Sequence, residues 1–102
     1  MTPADTRADV LVVDDEALIS VHGELDVFTL DVLRDALADV PQVSRVVIDL
    51  QDVKFLDCAA LRFIEDAAKR YAAESRKLRV EHASGVVNRL IEILKLDDLR
   101  VR

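Results

Sequence analysis

The side chains best placed for chemistry lie in Val46–Leu61, VVIDLQDVKFLDCAAL, where Asp57 and Cys58 stand at the mouth of an amphipathic helix. A carboxylate just before a helix accepts hydrogen bonds from first-turn N–H groups, so capping is the simplest role for Asp57. Contact with a partner is open to it in addition. A thiol at a helix N-terminus can be activated as a nucleophile. Cys58 has no second cysteine beside it, and an inert small residue is the plainer reading, with an intermolecular disulfide as the alternative. The next two positions, Ala59 and Ala60, bring no reactive atom.

Elsewhere the chemistry is thin. His22 and His82 have no Cys or His neighbours at metal-ligand spacing, so no metal site is expected. No Ser-His-Asp set, glycine-rich phosphate loop or paired-histidine motif occurs, and the expectation is a binding protein without cofactor rather than an enzyme. Asp14, Asp15 and Glu16 read as a solvated turn. The run Val10–Glu16, VLVVDDE, does resemble the first strand and acidic pair of a receiver domain, which holds Mg²⁺ beside a phosphorylated aspartate. Asp49 would have to be that aspartate. It follows Asp15 too closely, and the later Thr/Ser and Lys-Pro positions are not apparent. The receiver reading is set aside.

Composition narrows the class. The chain has 102 residues, enough for one domain with its own core, and is 51% hydrophobic and 33% charged. Residues 1–102 are read as a single domain, with 1–8 as a flexible N-terminal tail. The net charge of −6 argues against direct nucleic-acid binding, which needs clustered Lys and Arg. There is no basic-then-apolar leader, and no apolar run approaches the roughly 18 residues of a membrane span. One cysteine fits a reducing compartment, so the expected location is cytoplasmic, without membrane insertion.

These residues need elements to hold them. Val10–Val13 and Leu18–Val21 flank a polar break and predict a β-hairpin, with Gly23 ending the second strand. Leu30, Leu33, Ala36, Leu37 and Val40 recur at helical spacing, with Thr29 as N-cap, Asp31 in the first turn and Pro41 as the stop. Val46-Val47-Ile48 reads as a central strand buried on both faces, followed by a charged turn and a short apolar strand. A second helix places Ala60, Leu61, Ile64, Ala67, Ala68 and Tyr71 on one side, and Ala59 with Arg62, Asp66 and Arg70 on the other. Phe63 falls between, as a partner contact or as a peripheral core residue. Leu78-Arg79-Val80 is a short strand, and Ser84 caps a third helix with the stripe Val87, Leu90, Ile91 and Leu94. Leu99–Val101 could add a last strand.

Taken together the chain resembles a STAS domain of the anti-sigma factor antagonist type. Gly23-Glu24-Leu25-Asp26 matches the family's G-E-L-D signature. Val47-Ile48-Asp49-Leu50, followed by Val53, Phe55 and Asp57, matches V-x-D-L-x-x-V-x-F-x-D. Leu61 fits the leucine after the family's D-S-S-G or D-S-T-G. The resemblance implies an α/β STAS fold of order β-β-α-β-α-β-α: a mixed, mostly parallel sheet of four to five strands with three or four helices. It implies binding to a kinase-type anti-sigma factor, with control of sigma factor availability and transcription.

In such proteins phosphorylation of the second hydroxyl residue of the motif switches binding off. That position maps to Ala59 and the family's glycine to Ala60, so the chemical trigger is absent here. The partner-binding residues implied are Asp26, Asp57, Cys58, Ala59, Arg62 and Phe63; for Asp26 the plainer role is a turn acid that bonds local backbone. The protein is expected to be a monomer or weak dimer. The alternative partner is the ATPase of a lipid-transport ABC complex, or a signalling scaffold, with this chain as the STAS accessory subunit.

Overall fold

The computed structural model describes residues 6–100. An antiparallel hairpin of β1 (Arg7–Val13) and β2 (Glu16–Leu25) opens the fold and closes on Asp14-Asp15. Asp14 takes the left-handed conformation (φ 54°) that a tight hairpin requires, and a short polar side chain tolerates it. Asp15 is not simply solvated, as its sequence suggested. Its carboxylate accepts the Ser44 N–H at 3.0 Å and its carbonyl accepts that of Arg45 at 3.3 Å, clamping the hairpin to the start of the next strand. The hydrogen bonds from Ser44, aided by the charges of Arg45 and Arg76, hold this carboxyl below its ordinary pKa.

The chain continues through α1 (Leu30–Asp39), β3 (Arg45–Leu56), α2 (Cys58–Ala73), β4 (Lys77–Glu81) and α3 (Gly85–Ile93), and ends in a 3-10 turn at Asp97–Leu99. The element order and the mixed α/β sheet are those expected. The sheet has four strands in the order β1-β2-β3-β4, with β2, β3 and β4 mutually parallel.

Four local expectations are corrected. Arg7 and Ala8 are not tail but strand, paired with His22 and Val21; residues 1–5 lie outside the described residues. Gly23 does not end β2. Its φ of 100° lets the strand absorb a register shift against β3 and run on to Leu25. No charged turn divides the central segment either: β3 is one strand of 12 residues, because pairing with the extended β2 carries it through Gln51 and Asp52. The strand expected at Leu99–Val101 is a 3-10 turn at Leu99 and a single parallel bridge between Arg100 and Val80; Val101 lies outside the described residues.

All helices pack on one face of the sheet. Ala17, Ile19 and Val21 of β2, Val46, Ile48 and Leu50 of β3, and Leu78 and Val80 of β4 are buried there, at every second position. Val47, expected to be buried as well, is only half-buried because it points to the face opposite the described helices. From the helices, Leu33, Leu61, Ile64 and Ile91 complete one contiguous core. Each such aliphatic side chain contributes about 1.5–3 kcal/mol by leaving water. Ala60 and Ala67 let α2 lie close to the sheet, while Ala68 and Tyr71 reach only its margin.

Candidate functional site

Strands β2 and β3 end side by side, with Leu25 paired to Leu56, and the chain leaves both ends through an aspartate. Asp57 follows β3. Its backbone is extended, its N–H donates to the Leu25 carbonyl at 3.1 Å, and its Oδ1 accepts the Ala60 N–H at 2.8 Å. The acid thus ties the end of β2 to the start of α2 and caps that helix, as its sequence position indicated. The cap also sets the exposure of the first turn. Cys58 and Ala59 face solvent there, whereas Ala60 and Leu61 are buried against the sheet.

Asp26 follows β2 and also turns inward on its own backbone. Its Oδ1 accepts N–H groups from Phe28 at 2.9 Å and Thr29 at 3.0 Å. Thr29, expected to cap α1 with its hydroxyl, makes no side-chain cap bond. The hydroxyl instead donates to the Glu24 carbonyl at 2.8 Å and accepts the Asp26 N–H at 3.0 Å. Asp26 is the turn acid its position suggested, and the Thr29 hydroxyl is drawn into the same turn instead of capping α1, because the loop folds back on β2 before the helix begins. Both aspartates therefore position their neighbours, and the surface available to a partner is formed by what they display.

That surface is partly apolar. Val27 and Phe28 protrude from the β2–α1 loop, Phe28 being 89% exposed, and Phe55 is exposed at the end of β3. An exposed aromatic of this kind is a common anchor in protein interfaces. Sequence reasoning assigns none of the three to the site. The available signal is that Val27 and Phe28 fall after the last strand residue and before the helical stripe beginning at Leu30, so no core position awaits them.

Arg62 is exposed on the outer face of α2, as the helical wheel placed it. Phe63 resolves as an intermediate case. It packs on the margin of the core, and the guanidinium of Arg34 lies 5.3 Å from its ring centroid. Arg34 in turn pairs with Asp31 one turn earlier in α1. Phe63 is thus a joint between α1 and α2, while Asp26 and Asp57 stand just after the two strand ends and Cys58, Ala59 and Arg62 are exposed in the first turns of α2.

A second group of ionisable side chains lies on the helix-free face. There the Nδ1 of His82 is 3.1 Å from Asp49 and 3.9 Å from Glu81, and His22 bridges Asp52 at 3.1 Å and Asp9 at 3.5 Å. Sequence spacing gave no hint of either group, since strand pairing assembles them. Among the described residues, no helix is long and apolar enough to cross a membrane.

The fold as a whole has counterparts among known proteins. The STAS domain profile matches residues 7–100. This chain belongs to the STAS domain family. Curated STAS relatives include an anti-sigma-B factor antagonist from Staphylococcus aureus strain NCTC 8325, 29% identical over 83 residues, covering 79% of this chain and 77% of the relative. A protein of the same name from Bacillus subtilis strain 168 is 28% identical over 94 residues, covering 91% and 86%. Among solved structures, an anti-sigma factor antagonist from Mycobacterium paratuberculosis superposes with a TM-score of 0.79 at 27% identity, covering 97% of this chain and 87% of that one. Unphosphorylated SpoIIAA, also an anti-sigma factor antagonist, shares the fold with a TM-score of 0.78 at 14% identity, covering 92% and 85%.

Proposed function

We propose that this STAS domain is a cytoplasmic anti-sigma factor antagonist that binds a kinase-type anti-sigma factor and so governs sigma factor availability. The reading makes it a binding protein and not an enzyme, and assigns it no nucleic-acid contact of its own. Its docking surface comprises Asp26, Asp57, Cys58, Ala59, Arg62 and Phe63, widened by Val27, Phe28 and Phe55.

One observation carries the reading: the capped first turn of α2 presents residue 59 to solvent, at the paired strand ends from which the exposed Val27, Phe28 and Phe55 also depart. A phosphoryl group there would bring about −1.5 to −2 charge units and three acceptor oxygens into that surface, enough to oppose docking. Ala59 offers no oxygen to accept it. The docking element is retained and the covalent switch is silent, so binding persists in the presence of ATP.

The test is an affinity capture of the tagged domain from its own cytosol, with and without ATP. Recovery of an anti-sigma kinase in both conditions, with residue 59 unmodified by mass spectrometry, supports the reading. Release of that partner by ATP contradicts the silent switch. Recovery of a transporter ATPase instead would assign the domain to an ABC complex.

A further inference from the structure

Parallel sheets are normally covered on both faces, yet among the described residues β2, β3 and β4 carry helices on one face only. The pairing registers align the residues of the other face into rows across the four strands. Leu11, Leu18, Val47 and Arg79 form one row. On one side of it lie Val13, Glu16, Arg45 and Lys77; on the other lie Asp9, Ser20, Asp49 and Glu81. Leu11 and Val13 are 60% and 57% exposed, and Leu18 and Val47 are half-buried beside them.

The charges are arranged about the apolar row in a self-complementary way. In β3 a cation, Arg45, stands two residues before Val47, and an anion, Asp49, two residues after it. In β4 Lys77 and Glu81 stand in the same relation to Arg79. Rotation by a half-turn about an axis along the row would bring Arg45 over Asp49 and Lys77 over Glu81 of a second copy, while Leu11, Leu18, Val47 and Arg79 meet their own counterparts. Arg79, at the sheet edge, is long enough to reach along the strand to Glu81 of the second copy. Lys77 and Arg79 have no carboxylate within ion-pair distance among the described residues.

We propose that the helix-free face of the sheet is the interface of a two-fold homodimer. Its occupant is a second copy of this chain, because Arg45 meets Asp49, Lys77 meets Glu81 and the apolar residues of the central row meet one another across the axis. Four strands spaced ~4.8 Å apart and five residues deep at ~3.3 Å give a face of about 300 Å² in plan. That is well below the ~800 Å² per partner of a standard interface, so the dimer is weak and concentration-dependent. Cys58 and Ala59 lie on the helix side, so dimerisation leaves the strand-end surface open and does not depend on the function proposed for it.

Sedimentation equilibrium of the full chain tests this. The wild type should dimerise between about 10 μM and 1 mM, roughly tenfold more weakly at 500 mM than at 50 mM NaCl. Lys77→Glu and Glu81→Lys should each weaken association about tenfold or more, each placing two like-charge pairs across the axis. The double variant K77E/E81K restores opposite charges and should return the Kd to within about threefold of wild type. Circular dichroism of each variant separates loss of pairing from loss of fold. A wild type still monomeric at about 1 mM overturns the proposal and leaves the face to a different protein. So does association indifferent to the single swaps, or a double variant no better than either single.

Discussion

Asp57 and Ala60 are joined by a 2.8 Å hydrogen bond that spans the exposed pair between them. The carboxylate closes the first turn of α2, and residues 58 and 59 are left outside as a rigid step. Removing that carboxylate by Asp57→Ala should cost about 1 kcal/mol, within the 0.5–2 kcal/mol found for N-caps. Urea unfolding reads this directly, and Asp57→Ser should recover most of it. A larger loss in partner affinity than in stability would show that the carboxylate also touches the partner.

Position 59 separates stability from binding. Ala59→Glu places an anion in the first turn of α2, which the helix dipole favours by about 0.3–1 kcal/mol. The variant should therefore melt at or above the wild-type temperature while binding the partner more weakly. Ala59→Ser should make binding ATP-sensitive where the partner kinase recognises the site, with phosphate on residue 59 by mass spectrometry. Unimpaired binding by Ala59→Glu would place residue 59 outside the interface.

Phe28→Ala removes an aromatic that is 89% exposed and so should leave thermal stability within about 0.5 kcal/mol of wild type. If Phe28 is an anchor, calorimetric titration with the partner should lose about 2 kcal/mol or more. Equal affinity would remove the β2–α1 loop from the docking surface.

Asp15 gives the fold a pH dependence. Its folded-state pKa lies below the ordinary 3.8, chiefly through the Ser44 hydrogen bonds, so its contribution is present above that value and fades as pH falls through the folded pKa. Asp15→Asn should be less stable than wild type at pH 7, and the gap should narrow under acid conditions below about pH 3.8. A gap unchanged down to the acid transition would mean that the clamp does not depend on the carboxylate charge.

The order of elements was legible because β-branched runs alternate with 3.6-period stripes, and the cap at Asp57 because an acid stands just before such a stripe. The errors arose where one local signal has two structural meanings. Gly23 reads as a strand end, yet a positive φ serves a register shift as readily as a turn. Gln51-Asp52 reads as a turn, but the hydrogen bonds offered by β2 outweigh the polarity of two side chains. Thr29 carries a capping oxygen just before a helical stripe, but the path of the loop turns that hydroxyl to the Glu24 carbonyl. The Asp49–His82 pair, 33 residues apart, depends on β3 and β4 lying side by side, which no short window of sequence displays.

The exposure of residue 59, beside a cap that it does not help to make, has an evolutionary meaning. Alanine and serine codons are one base apart, and neither side chain at this position is asked to hold the fold together. If residue 59 is the proposed phosphorylation position, a lineage could shed or regain that control here without passing through a misfolded ancestor. On the proposed function, regulation and architecture would be inherited separately, although they are written in adjacent residues.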